Sequence, residues 1–439
     1  MGSVRYRRGA RVIRCGPLRR GVWRLRSLRH GCVTLGGKPL SAQEETRHFK
    51  LIGTTGAGKS TAIRELLTGA LRRGDRAVIA DPDGGYRTRF FDAWRGDVVL
   101  NPFDGQSLRW NPFSELQEPG DCENLAQALI STSEDASSNE WRGYARTFLA
   151  AVLAHGQRAG FRDTRPLWRL LSVAGAPELR PVVAGTPAQP FLTPDNARMF
   201  GSIRAVAVAA LRALDHVHEQ RGLPFSVRDW VRGGSGVLFL PYAARQIAAL
   251  RTLIASWIGL AIFEALSQEE GRDQRLWLVV DELDALGAID GLKDALARLR
   301  KFGGRCVLGF QSVSQVSSTY GPGVAQALVE NCGNTLVLRS SGSENGGTSQ
   351  FAARLIGDHE LVRRQRTRGR DGGGLFTANG RRSSQVSDQP VIESAVMPAE
   401  LERLPDLTGY LKAAADPDWY RVRLASPARP AGVLRTDDR

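Results

Sequence analysis

Short, continuously apolar runs alternate along this chain with longer stretches of helical periodicity, and several of the runs end in a glycine, an acid or an amide. Phe49–Ile52, residues 76–80, 97–100 and 236–241, Leu276–Val280, and residues 306–310 and 334–338 read as short strands of a buried sheet, because none shows the polar alternation of a strand with one wet face. Ile63, Leu66, Leu67, Ala70 and Leu71 recur three to four apart, so the segment after Ile52 predicts a helix with one apolar face. Helix formers then dominate: residues 124–130, 140–158, 167–171 and 197–214 predict an all-helical stretch broken at Ala176-Pro177 and Gly185-Thr-Pro187. Trp141, Tyr144, Phe148 and Val152 form a stripe along one of these helices that reads as packing rather than base stacking. Further helices are expected over 243–268, 287–301, with Leu292, Ala295, Leu296 and Leu299 inward, and 347–357. Strands separated by helices predict an α/β fold with a parallel sheet.

The chemistry sits where strands end. Between the first strand and its helix lies Gly53-Thr54-Thr55-Gly56-Ala57-Gly58-Lys59-Ser60-Thr61, the pattern of a P-loop in the strand–loop–helix context it requires. Its glycines let successive N–H groups converge on phosphate at a positive helix terminus, Lys59 would reach the β and γ phosphates, and Ser60 would supply a hydroxyl to Mg²⁺. Leu276–Val280 ends in Asp281-Glu282, which reads as a Walker B pair: the aspartate for the Mg²⁺ shell, the glutamate for the attacking water. The strand 306–310 ends at Gln311, the place for a γ-phosphate sensor, against the alternative of a polar residue that starts the next helix. Arg300, before that strand, is either an arginine finger for a neighbouring subunit or a charge offsetting a helix dipole. Asp81, at the end of 76–80, reads as a turn-forming residue before Pro82 and stays outside the site. Lys59 and Asp281 are separated by far more chain than a compact nucleotide fold needs, so an insertion is expected to split the core.

Composition adds three things. The formal charge of +15 is concentrated early, in Arg5, Arg7, Arg8, Arg11, Arg14, Arg19, Arg20, Arg24, Arg26 and Arg29 before the first acid, Glu44. Such a head suits a membrane-proximal or DNA-facing role, or a solvated tail. A second basic segment, 363–382, surrounds Gly372-Gly-Gly374 and reads as a mobile hairpin facing DNA or solvent. The five cysteines lack C-x-x-C or C-x-x-H spacing, which points to a reducing compartment without structural zinc. The longest nearly uncharged apolar run, 253–263, is shorter than the roughly 20 residues of a membrane span.

With these motifs, and with Gly309-Phe-Gln-Ser-Val-Ser-Gln315, Asn331-Cys-Gly-Asn-Thr-Leu336, Gly346-Gly-Thr-Ser-Gln-Phe351 and Leu404-Pro-Asp-Leu-Thr-Gly-Tyr410, the chain resembles the TraD/TrwB-type coupling proteins of type IV secretion and conjugation. The resemblance implies a RecA-like P-loop domain with a central mainly parallel sheet, interrupted by an all-α insertion, in a homo-hexameric ring. Expected boundaries are a basic segment at 1–32, a nucleotide-binding domain at 33–120 and 216–425, an insertion at 121–215 and a tail at 426–439. It also implies an ATP- and Mg²⁺-dependent motor that takes a relaxase–DNA substrate, with little sequence preference and single strands as cargo, into a secretion channel at the cytoplasmic face of the bacterial inner membrane. Lys59, Asp281 and Gln311 fall on the family's P-loop lysine, Walker B aspartate and third-motif glutamine, and Arg300 on its proposed finger. Family members usually begin with membrane-spanning helices; here the basic head stands where the cytosolic stem would follow them, so a missing start or a separate membrane partner is expected. The competing expectations are a double-stranded DNA pump of the chromosome-segregation type and an adaptor that docks substrates without hydrolysis.

Overall fold

A computed structural model describes residues 4–16, 21–23, 25, 31–132, 135–217, 220, 222–271, 274–343, 346–370 and 382–425. Ten strands form one sheet: β1 (Val12–Arg14), β2 (Phe49–Ile52), β3 (Arg76–Pro82), β4 (Val98–Val99), β5 (Val237–Tyr242), β6 (Leu276–Val280), β7 (Arg305–Phe310), β8 (Asn334–Val337), β9 (Thr408–Lys412) and β10 (Trp419–Arg423). Their order across the sheet is β1-β10-β9-β8-β2-β7-β6-β3-β5-β4. From β8 to β4 every pair is parallel; β9 runs antiparallel to β8 and to β10, and β1 pairs parallel with β10.

Both faces of the parallel strands are covered, which is why the sequence there is continuously apolar. On one face Phe49, Leu51, Ala77, Ile79, Trp277 and Val279 pack with Ala62, Ile63, Leu66 and Leu67 of the helix Lys59–Arg72. On the other, Ile52, Val78, Ala80, Leu278, Val280, Leu308 and Phe310 join the core built around the helix Ile247–Leu266. Alternate residues of one strand thus serve two cores. Ile247–Leu266 is long and apolar enough to cross a membrane by length and composition, more so than the run 253–263 suggested, yet most of it is buried inside the protein. Its apolar positions go all the way round because it lies between the sheet and the inserted helices, touching both.

The described residues from Asp121 to Gly233 are mainly helical, in Asp121–Leu129, Ala136–Arg158, Thr164–Ser172, Ala176–Val183, Ala197–Leu211, Leu214–Val217 and Val227–Gly233, with one two-residue strand, Pro224–Phe225, pairing with Arg109–Trp110. Asp135 and Asp163 cap two of these helices by accepting from the Ser138 and Arg165 N–H groups. The expected break at Ala176-Pro177 falls where one helix has ended at Ser172 and the next begins, with Pro177 in its first turn, where the missing N–H costs nothing.

Two expectations are corrected. Residues 287–301 are not one helix: Gly287 and Gly291 adopt positive φ, so a 3-10 turn, Leu283–Leu286, is followed by Leu292–Arg298 and a second 3-10 turn, Leu299–Phe302. The strand expected over 97–100 shrinks to the two residues of β4. The expected basic hairpin at 363–382 is part of a longer one, in which Asp358–Arg370 pairs antiparallel with Arg382–Ser394 and, on its other edge, with Val4–Gly9. Part of the basic N-terminal segment is therefore sheet, with β1 in the main sheet and Val4–Gly9 in this second one. Arg19, Arg20, Arg24, Arg26, Arg29, Gly372-Gly-Gly374, Arg381 and the tail at 426–439 lie outside the described residues.

Candidate nucleotide-binding site

The register of the parallel strands brings the candidate residues together. Ile52 pairs with Phe310, Leu308 with Val280, and Val280 with Ala80, so Gly53, Gln311, Asp281 and Asp81 emerge side by side at the carboxyl ends of four neighbouring strands. That is where a parallel α/β sheet accepts ligands. Close packing is needed to keep the row tight: a Cβ on Gly309 would stand 2.2 Å from the Asp281 carbonyl oxygen, so only glycine fits.

Gly58, at φ 120°, ends the loop in backbone that other residues rarely adopt, and caps the helix Lys59–Arg72 without any side-chain hydrogen bond. Helix N–H groups of the first turn have no partner within the helix and are left to an external acceptor. The loop is held from outside: the Thr54 N–H donates to the Arg339 carbonyl at 2.8 Å, and the Leu407 N–H to the Ala57 carbonyl at 3.0 Å. Thr55 and Gly56 face solvent at its tip, and Thr61 lies partly buried in the first helical turn. Lys59 is buried, with Nζ donating to the Gly53 carbonyl at 2.7 Å and to Thr54 at 3.4 Å. Burial lowers its pKa, opposed by the charges of Asp281, Glu282 and Asp284.

Across the row, the Ser60 hydroxyl donates to Asp281 Oδ2 at 2.6 Å, and the Tyr86 hydroxyl donates to the same oxygen at 2.8 Å. Asp281 Oδ1 is buried and has no hydrogen-bond partner among the described residues. Thr55 Oγ1 donates to Gln311 Oε1 at 3.0 Å, and Gln311 Nε2 to Glu282 Oε1 at 3.3 Å, tying the loop tip to both strand ends. Burial, then the neighbouring Asp281, raises the Glu282 pKa, while Lys59 opposes the shift. A hydroxyl and a carboxylate with one free buried oxygen, beside an uncapped helix end, fit a hydrated Mg²⁺ held mainly by phosphates and waters. Among the described residues no group of three or more His, Cys, Asp or Glu could hold a metal ion by itself.

Two residues behave differently. Arg300 is exposed in the 3-10 turn before β7, at the opposite end of that strand from Gln311 and roughly 20 Å away along a six-residue strand. The fold does not bring it to its own chain's loop. Asp81 accepts from the Tyr86 and Arg87 N–H groups at 2.9 and 2.7 Å, which is the turn-closing part expected of it; burial pushes its carboxyl up to about 6. Tyr86 was not visible as a site residue in the sequence, because only the turn after β3 carries its hydroxyl to a strand two hundred residues away in the chain. A cleft of about 820 Å³, lined by Ser131, Arg142, Arg251, Leu286 and Thr319 among others, lies between the inserted helices and the core helix, and no P-loop residue lines it.

The family described as the type IV secretion-system coupling protein DNA-binding domain matches residues 32–425. The chain belongs to this coupling-protein family. It is similar to coupling protein TraD of Escherichia coli (strain K12), 30% identical over 409 residues that make up 91% of this chain and 55% of that protein. It spans about half the length of the curated relatives it matches. Among solved structures, the bacterial conjugative coupling protein TrwBdeltaN70 in its unbound monoclinic form superposes with a TM-score of 0.83 at 31% identity, over 96% of this chain and 94% of that one. Plasmid coupling protein TrwB in complex with ADP and Mg²⁺ gives a TM-score of 0.82 at the same identity and coverage. The coupling-protein fold here is thus the RecA-like α/β domain with inserted helices that the motifs implied.

Proposed function

We propose that this coupling protein binds ATP with Mg²⁺ at the row of strand ends, hydrolyses it, and uses the cycle to drive DNA into a type IV secretion channel. The observation behind this reading is the continuous set of hydrogen bonds from Thr55 through Gln311 to Glu282, and from Ser60 to Asp281, across the loop and two strands. The TrwB structure solved with ADP and Mg²⁺ supports the choice of ligand.

In this mechanism the N–H groups of Gly56 to Thr61 and the Lys59 ammonium hold the phosphates. Lys59 leaves the Gly53 carbonyl to do so. Ser60 and Asp281 would hold Mg²⁺ and its waters, and the ion would neutralise charge on the phosphate oxygens. Glu282 orients a water and takes up its proton, a task suited to a carboxylate whose pKa is raised. Gln311 spans Thr55 and Glu282, so a change at the γ-phosphate is felt at the base and at the loop tip together. Arg300, too distant to act within its own chain, reaches a neighbouring subunit's site in a homo-hexamer.

The substrate is a relaxase–DNA complex, the DNA single-stranded and read with little sequence preference, at the cytoplasmic face of the inner membrane with a membrane partner. ATPase rate with and without single-stranded DNA, at rising salt, tests hydrolysis and coupling together. Stimulation that fades with salt is expected; a rate indifferent to DNA at every salt concentration contradicts the coupling.

A further inference from the structure

Tyr86 joins two buried carboxylates that stand next to each other on adjacent strands. Its N–H donates to Asp81 Oδ1, and its hydroxyl to Asp281 Oδ2. The ring is buried, at 1% exposure, and the Arg64 guanidinium from the P-loop helix lies 5.5 Å from its centroid. Asp81 also accepts from the Arg87 N–H, so the turn that presents Tyr86 is closed at two points by one carboxylate. The hydroxyl therefore has little freedom to point elsewhere.

Ser60 and Tyr86 occupy the same oxygen of Asp281 from two sides, while Oδ1, in a residue only 3% exposed, has no partner among the described residues. A buried carboxylate oxygen without a donor is costly unless something else is to fill it. We propose that Tyr86 is a positioning residue for the divalent cation: by fixing Oδ2 together with Ser60, its hydroxyl presents Oδ1 as the free acceptor for the hydrated metal. This rests on the nucleotide reading given above. Partners that orient a metal's ligands change metal affinity or activity by about 10- to 100-fold when removed.

Tyr242 provides a control. Its hydroxyl also lies near Glu282, Asp281 and Asp81, and burial, then these charges, raises its pKa, but it makes no hydrogen bond to any of them. The test is ADP affinity measured by calorimetry across a Mg²⁺ titration, for the wild-type chain, Tyr86→Phe and Tyr242→Phe. Tyr86→Phe keeps the ring against Arg64, and its thermal midpoint checks that the fold is kept. The expected result is a Mg²⁺ midpoint raised roughly tenfold in Tyr86→Phe alone, with ADP affinity in excess chelator unchanged. An unchanged midpoint, or an equal shift in Tyr242→Phe, overturns the assignment to Tyr86. Wild-type protein whose ADP binding ignores Mg²⁺ overturns the nucleotide reading, and this inference with it.

Discussion

The two ends of the parallel sheet treat buried charge in opposite ways. At the amino ends, Glu45, Asp75 and Arg305 are almost wholly buried and bonded to one another's neighbours: Arg73 donates to Glu45 at 2.7 Å and to Asp75, Trp277 Nε1 donates to Asp75 at 2.9 Å, and Arg305 Nε to Glu45 at 3.3 Å. At the carboxyl ends, Asp281 Oδ1, Asp284 Oδ1 and the Tyr242 hydroxyl are buried with no hydrogen-bond partner among the described residues, and burial raises the pKa of Glu282 and Asp81. A closed network ties strands together. An open one keeps its acceptors for a ligand, and the fold gives up stability there.

The largest effects should come from breaking each end in turn. Glu45→Ala removes the buried carboxylate shared by Arg305 and Arg73, of which Arg73 keeps Asp75, and should cost about 3–5 kcal/mol in urea unfolding. At the other end, Glu282→Gln should lower kcat by about 10²–10⁴ with ADP binding and thermal midpoint kept.

A somewhat smaller effect is expected from His48, beside the closed end. Its Nδ1 accepts from the Cys306 N–H at 3.1 Å, and burial, helped by Arg300 and Arg305, lowers its pKa to about 4. The folded protein therefore binds fewer protons than the unfolded chain between about pH 6.5 and pH 4. Stability from this group is fully present above pH 6.5 and is lost as pH falls through that window, by roughly 3 kcal/mol. His48→Asn, which tolerates the positive φ of this position, should flatten that acid limb in unfolding measured from pH 7 to pH 4. The smallest effect should be on stability in Asp281→Asn: no loss, or a gain up to about 1 kcal/mol, because a buried charge facing Asp81 is removed. A loss as large as that of Glu45→Ala would erase the contrast between the two ends.

How much of this was legible beforehand depended on whether the signal is local. The loop Gly53–Thr61, the acids after Leu276–Val280 and the amide after 306–310 are each readable because strand, turn and side chain are neighbours in the chain. What the sequence could not show is that Gly53, Gln311, Asp281 and Asp81 end in one row, since that depends on register between distant strands. Tyr86 stayed hidden for the same reason. β9 and β10 were missed because Thr408–Lys412 and Trp419–Arg423 mix polar and apolar positions at the antiparallel side of the sheet. Gly287 and Gly291 looked tolerable inside a helical pattern, and only their positive φ shows the break.

The account turns on Mg²⁺ and a nucleotide being gripped between the loop ending at Ser60 and the pair Asp281-Glu282. The most direct measurement is urea unfolding with and without Mg·ADP, for the wild-type chain and Lys59→Ala. Wild type should gain about 2.7 kcal/mol at a hundredfold excess over Kd, and Lys59→Ala almost nothing at the same concentration. An equal gain in both would contradict it, because the ligand would then be held somewhere other than this row of strand ends.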